Sequence, residues 1–151
     1  MIVYEDTIEN FSNAVVLNSI SDIIHDSLRE HHLSGGSHSE INSWNNSLQF
    51  MKNVLDTPDI PKDCNVAIEY NIPQTSKRVD FMILGKDDND TDHVIIVELK
   101  FNSSASKALE QIKEKKYFDL LSGWQGGVLF AGVSYDTESK KHECKIERFE
   151  K

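Results

Sequence analysis

The chain has little cysteine: Cys64 and Cys144 stand far apart with no C-x-x-C pair. That pattern excludes a disulfide framework and a zinc ribbon and leaves two free thiols. Long apolar runs are absent too, since nothing approaches the roughly 20 residues of a membrane-crossing helix. The opening Met1-Ile2-Val3-Tyr4-Glu5-Asp6 lacks the basic start of a secretory signal, so the expectation is a cytoplasmic protein with no membrane partner. No G-x-x-x-x-G-K-[ST] occurs, which excludes a P-loop motor. Nor is there an excess of positive charge: the net −9 argues against coating nucleic acid by electrostatics alone. The charge is uneven, however. Residues 1–99 carry 6 basic against 17 acidic side chains and residues 100–151 carry 10 against 8, so a phosphate backbone would meet the C-terminal half.

What is present is an ordinary globular composition, 38% hydrophobic and 27% charged over 151 residues, enough for one domain with a real core. From about Thr7 to Leu33, Ile8, Phe11, Val15, Ile20, Ile23, Ile24 and Leu28 recur at helical spacing, predicting one or two helices. Ser34-Gly35-Gly36-Ser37 breaks them. Ser39 offers an N-cap for a further helix through Ile41, Trp44, Leu48, Met51 and Leu55, ending before Pro58. Three strands follow: Asn65 to Ile72, with Val66, Ile68, Tyr70 and Ile72 alternating against Ala67, Glu69 and Asn71, then Lys77 to Leu84 and Val94 to Phe101. They should form an antiparallel meander. Ser104 or Ser106 starts a helix through Ala108, Leu109, Ile112, Tyr117, Leu120 and Leu121, stopped by Gly123. Val128 to Val133 and His142 to Phe149 complete the strands. The fold class is α/β.

Asp80, inside Arg78-Val79-Asp80-Phe81-Met82-Ile83, and Glu98-Leu99-Lys100, closing the run Val94-Ile95-Ile96-Val97, carry the chemistry. Charged groups persist among residues meant for burial mainly when paired or bound to metal. Side chains two apart share a strand face, so Glu98 and Lys100 point together, and a neighbouring strand brings Asp80 to Glu98. Two such carboxylates repel unless a cation lies between them. Mg2+ or Mn2+ suits this donor set, with Asp80 and Glu98 as ligands, the Leu99 carbonyl as a third and water completing the shell. Lys100 would orient a metal-activated water or balance transition-state charge.

These residues resemble the PD-(D/E)XK nuclease superfamily, with Asp80 at its first acidic position and Glu98-Leu99-Lys100 as its (D/E)-x-K element. Val79 stands where the motif's name has proline. The helix, three-strand, helix, strand order resembles the family's restriction-endonuclease-like core, a central mixed sheet flanked by helices. The resemblance covers most of residues 39–135, making residues 1–36 an N-terminal helical extension and 136–151 a C-terminal strand of one domain. Residues 39–100 look like nuclease domains preceding the motor of bacterial helicase-like ATPases. Ala108 to Tyr117 looks like the post-motif helix of nuclease domains attached to bacterial AAA-type ATPases.

The resemblance implies metal-dependent phosphodiester hydrolysis, DNA before RNA, and a homodimer where two strands are cut. It places Glu40, at the start of the Ser39 helix, near the metal, with Glu69 the competing acid and a solvated helix-end glutamate the plain reading. Gln111 would stand near the substrate or the lysine, unless it is a surface glutamine. The same fold also serves without chemistry, so a non-catalytic module binding nucleic acid or a protein is the rival, and a spliced or designed chain retaining the fold is another.

Other motifs carry less. Counted from Asp88, the Asp-rich 87–92 turn has His93 where a calcium loop needs glycine and Leu99 where it needs glutamate, so a solvated turn is expected. His31, His32 and His38 lack cysteine partners or an H-E-x-x-H, and zinc is not expected. Lys107, Lys113, Lys115 and Lys116 either meet phosphates or make a solvated helix face, and Lys77 and Arg78 are similarly open. Trp44 and Phe50 read as packing.

Overall fold

The computed structural model describes residues 4–33, 37–56, 58–71, 78–115, 117 and 124–149, with backbone alone at 38, 40, 43, 70 and 71. In chain order the elements are β1 (Tyr4–Thr7), α1 (Ile8–Val16), α2 (Ile20–Glu30), α3 (His38–Leu55), β2 (Asn65–Asn71), β3 (Arg78–Lys86), β4 (Asp92–Phe101), α4 (Ala105–Glu114), β5 (Gly127–Tyr135) and β6 (His142–Phe149). The class is α/β, and its six strands form a mixed sheet in the order β1-β2-β3-β4-β5-β6. The described chain divides into two compact units, one from β1 to Val66 and one from Ala67 onward. Helix α3 falls in the same unit as α1 and α2.

In the first unit, Thr7 caps α1 by accepting the Asn10 N–H at 3.2 Å. The first two N–H groups of the helix, on Ile8 and Glu9, donate to the Cys64 and Lys62 carbonyls at 2.9 and 3.2 Å, so loop carbonyls satisfy the helix start. Ile8, Phe11 and Val15 of α1, Ile20, Ile24 and Leu28 of α2, and Trp44, Leu48, Met51 and Leu55 of α3 are buried, as their spacing predicted. Ile23 departs from that set at 42% exposed, because its neighbour Ile24 occupies the inward stripe. Helix α3 starts one residue before Ser39, with Ser37 O accepting from Ile41 N at 2.9 Å. Strand β1 was not anticipated, since four residues are too few to show a period.

In the second unit, β3 and β4 pair antiparallel from Phe81↔Val97 to Lys86↔Asp92. Asp87 closes their turn by accepting the Asn89 and Thr91 N–H groups at 2.8 and 3.0 Å. Strands β4 and β5 pair in parallel, His93↔Gly127 through Phe101↔Tyr135, with α4 as the crossover. Ser104 caps α4 through the Lys107 N–H at 3.1 Å. One core gathers Val79, Val94, Ile96, Leu109, Ile112, Tyr117, Val128 and Phe130. Terminal β6 pairs antiparallel with β5 and is exposed along nearly all its length.

Two local readings change. In β2, Val66, Ala67 and Ile68 are all buried, and Glu69 has φ 54°, so its left-handed backbone breaks the simple alternation. Helix α4 ends at Glu114, not near Gly123. The stripe Ala108, Leu109, Ile112 continues in sequence to positions 115 and 116, both lysines, and Tyr117, beyond the helix, is fully buried. Ile72, Lys77, Lys116, Leu120, Leu121 and Gly123 lie outside the described residues.

Gly132 of β5 lies directly beneath α4. A Cβ there would come 2.3 Å from Ala105 O and 2.8 Å from Leu109 N, both backbone atoms. Gly132→Ala is therefore expected to lower stability by about 2–3 kcal/mol, read from chemical denaturation. An unchanged denaturation midpoint would remove this account of the helix–sheet approach.

Candidate active site

Asp80 and Glu98 meet because of strand register. The β3–β4 register runs from Lys86↔Asp92 to Phe81↔Val97, and Asp80 and Glu98 are the next residues on the two strands beyond that last pair. Glu98 shares its face with Val94 and Ile96, which pack beneath α4, so its side chain is inside the core at 2% exposed. Asp80 is half-buried, and its Oδ2 accepts the Leu99 N–H at 3.2 Å. Leu99 thus also enters the site through its N–H.

Helix α4 supplies the donors to Glu98. Gln111 and Lys115 are one helical turn apart. The Gln111 amide donates to Glu98 Oε1, and Lys115 Nζ donates to the same oxygen at 2.9 Å. The other oxygen, Oε2, lies 3.5 Å from the Tyr117 hydroxyl, which also donates to the Arg78 carbonyl at 2.6 Å. Arg78 in turn pairs with Glu69 at 3.3 Å. The Lys115 ammonium sits 5.4 Å over the Tyr117 ring.

Electrostatics follow from this packing. Desolvation pushes the Glu98 carboxyl up to about 7, the nearby Asp80 charge adds to the rise, and Lys115 opposes it. Desolvation also raises Asp80, against the Leu99 N–H and the charges of Lys115, Lys100 and Arg78. Tyr117 is raised by burial and by both carboxylates, so its hydroxyl stays a neutral donor. The pair therefore holds negative charge that its surroundings only partly balance.

The expected residues separate clearly. Asp80, Glu98 and Gln111 are brought together, and Lys100 stands two residues along β4 from Glu98 and acts on both carboxylates by charge. Glu40 lies in α3, in the other unit, and its side chain is outside the described residues. Glu69 is engaged with Arg78. Lys113 pairs with Glu147 at 2.8 Å on the surface. The sequence reading missed the direct roles of Lys115 and Tyr117. Their clue was spacing: Lys115 follows Gln111 by four, while Tyr117 falls off the apolar stripe.

Among the described residues, no three His, Cys, Asp or Glu side chains converge on one point. Two carboxylates remain, a donor set that fits a hard cation holding much of its water, as Mg2+ commonly does. No helix is long and apolar enough to cross a membrane among the described residues. Comparison with family models, curated proteins and solved structures returned no match.

Proposed function

We propose that Asp80, Glu98 and Lys100 form the centre of a divalent-metal phosphodiesterase and that the protein is a PD-(D/E)XK-type nuclease, acting on DNA before RNA. The observation that carries this reading is the convergence of two desolvated carboxylates on adjacent strands, with Lys115, Lys100 and Arg78 around them. Such an arrangement destabilises the fold locally, and catalytic sites are where that cost recurs.

Asp80 and Glu98 would hold Mg2+ or Mn2+, which when bound supplies Lewis-acid polarisation of a phosphoryl oxygen and a more acidic water. The Leu99 N–H fixes Asp80, and the Gln111 amide holds Oε1 of Glu98. Lys100, on the Glu98 face of β4, would orient the attacking water or offset developing charge. The more basic half, residues 100–151, would meet the phosphate backbone, and a homodimer would provide two centres for two strands.

The test is incubation with supercoiled plasmid, single-stranded DNA and RNA, in Mg2+, Mn2+ or EDTA, beside Asp80→Ala. Metal-dependent cutting that this variant lacks is the expected result. Binding without cutting, indifferent to Asp80→Ala, would instead identify a non-catalytic module. The observation favouring that second reading is the absence of a third ligating side chain among the described residues.

A further inference from the structure

We propose that the Lys115 ammonium is a resident counter-ion at Glu98, occupying the carboxylate until a divalent cation displaces it. The inference rests on the reading that Asp80 and Glu98 hold that cation.

Glu98 Oε1 already receives two donors, the Gln111 amide and Lys115 Nζ at 2.9 Å. A cation binding this oxygen must therefore displace one of them or share a crowded acceptor. The two donors differ in their ability to leave. Gln111 sits within α4, where helix backbone on both sides anchors it, and its half-buried side chain donates to Glu98. Lys115 is the residue capping the helix's C-terminal end, and its side chain is 28% exposed where Glu98 is 2%. Its four-carbon stem lets the ammonium swing towards water at small conformational cost. Its present position, over the Tyr117 ring at 5.4 Å, is one a cation favours.

Lys100 does not share this arrangement. Its influence on both carboxylates is by charge alone and ranks after that of Lys115. Lys115 thus competes with the metal for one oxygen, while Lys100 only adds to the local potential. Metal-free protein is protected by Lys115 from two opposed, unbalanced carboxylates, and metal affinity is lowered in the same act. Once displaced, the ammonium is available to a phosphate oxygen of the substrate.

The test uses the full chain and Mn2+ alone, titrated calorimetrically at pH 7.5. Lys115→Met is expected to bind Mn2+ at least about tenfold more tightly, the low end of what a unit charge a few Å away exerts. Lys115→Gln, which keeps a donor without the charge and guards against poor folding of the methionine variant, should move the same way. Lys115→Arg should stay near the unaltered chain, and Lys100→Met should gain less than Lys115→Met. Equal or weaker binding by both Lys115→Met and Lys115→Gln would overturn the inference while leaving the metal site standing. Absence of Mn2+ uptake by the unaltered chain, or uptake that survives Glu98→Ala, would overturn the inference and the metal-centre reading together.

Discussion

In EDTA at pH 8, Glu98→Gln should unfold at a higher urea concentration than the unaltered chain, and the difference should shrink towards zero near pH 4.5. Glu98 is 2% exposed, and its carboxyl is raised from an ordinary 4.5 to about 7, first by desolvation and then by Asp80. Between those values the folded state keeps a proton that the unfolded chain has released. Stability is therefore full below about 4.5, falls as pH rises, and levels off above about 7. Glutamine keeps an oxygen to accept from Lys115 and Gln111 but cannot ionise. Removing the charge is worth about 3 kcal/mol from the size of the shift, reduced because Lys115 then lacks an opposite charge. A net gain of about 2 kcal/mol corresponds to roughly 1 M in urea midpoint. Asp80 is raised as well and contributes in the same direction. A profile that is flat or rising from pH 5 to 7.5, identical in both proteins, would show that Glu98 is not desolvated as described.

Glu98→Ala should reduce metal-dependent cleavage by at least about a thousandfold, some 4 kcal/mol of barrier. The substitution removes a proposed metal ligand and leaves the Gln111 amide and the Lys115 ammonium aimed at a vacated volume. Lys100→Ala should also lose hydrolysis while retaining Mn2+ uptake, since it removes charge and orientation without removing a ligand. Paired Mn2+ titration and plasmid-cleavage rates separate the two variants. Cleavage by Glu98→Ala within tenfold of the unaltered rate would exclude the proposed centre. Together with the pH series, this makes Glu98→Gln a variant expected to be more stable and inactive, the pattern of a site whose ionised form is held against its own stability.

The candidate site was legible where physical cost was visible in the chain. A carboxylate between Val79 and Phe81, and another after Val94-Ile95-Ile96-Val97, stand out because burial disfavours them, and strand periodicity set Glu98 and Lys100 on one face. Ser104 was legible as one of two candidate caps, with Ser106, because serine's hydroxyl satisfies a helix-end N–H. What escaped depends on tertiary choices. Helix α4 ends at Glu114 and Tyr117 beyond it lies in the core, while Lys115 turns to the buried Glu98 although its neighbours suggested a solvated face. Glu69 takes a left-handed backbone that no alternation pattern announces. β1 is four residues long, below the length at which a period can be read.

Strand β6 has a consequence for how the protein behaves in concentrated solution. It ends the sheet order, where unpaired backbone groups would invite another chain to add a strand. Yet Glu143 accepts the Ala105 N–H at 3.1 Å, Lys145 reaches Ser106 at 2.6 Å and Glu147 meets Lys113 at 2.8 Å. Three alternate side chains of one sign or the other are thus tied back to the protein's own helix. Any intruding strand would have to match their charge order, and this guards an exposed edge that carries Ile146 at 65% exposure against aggregation.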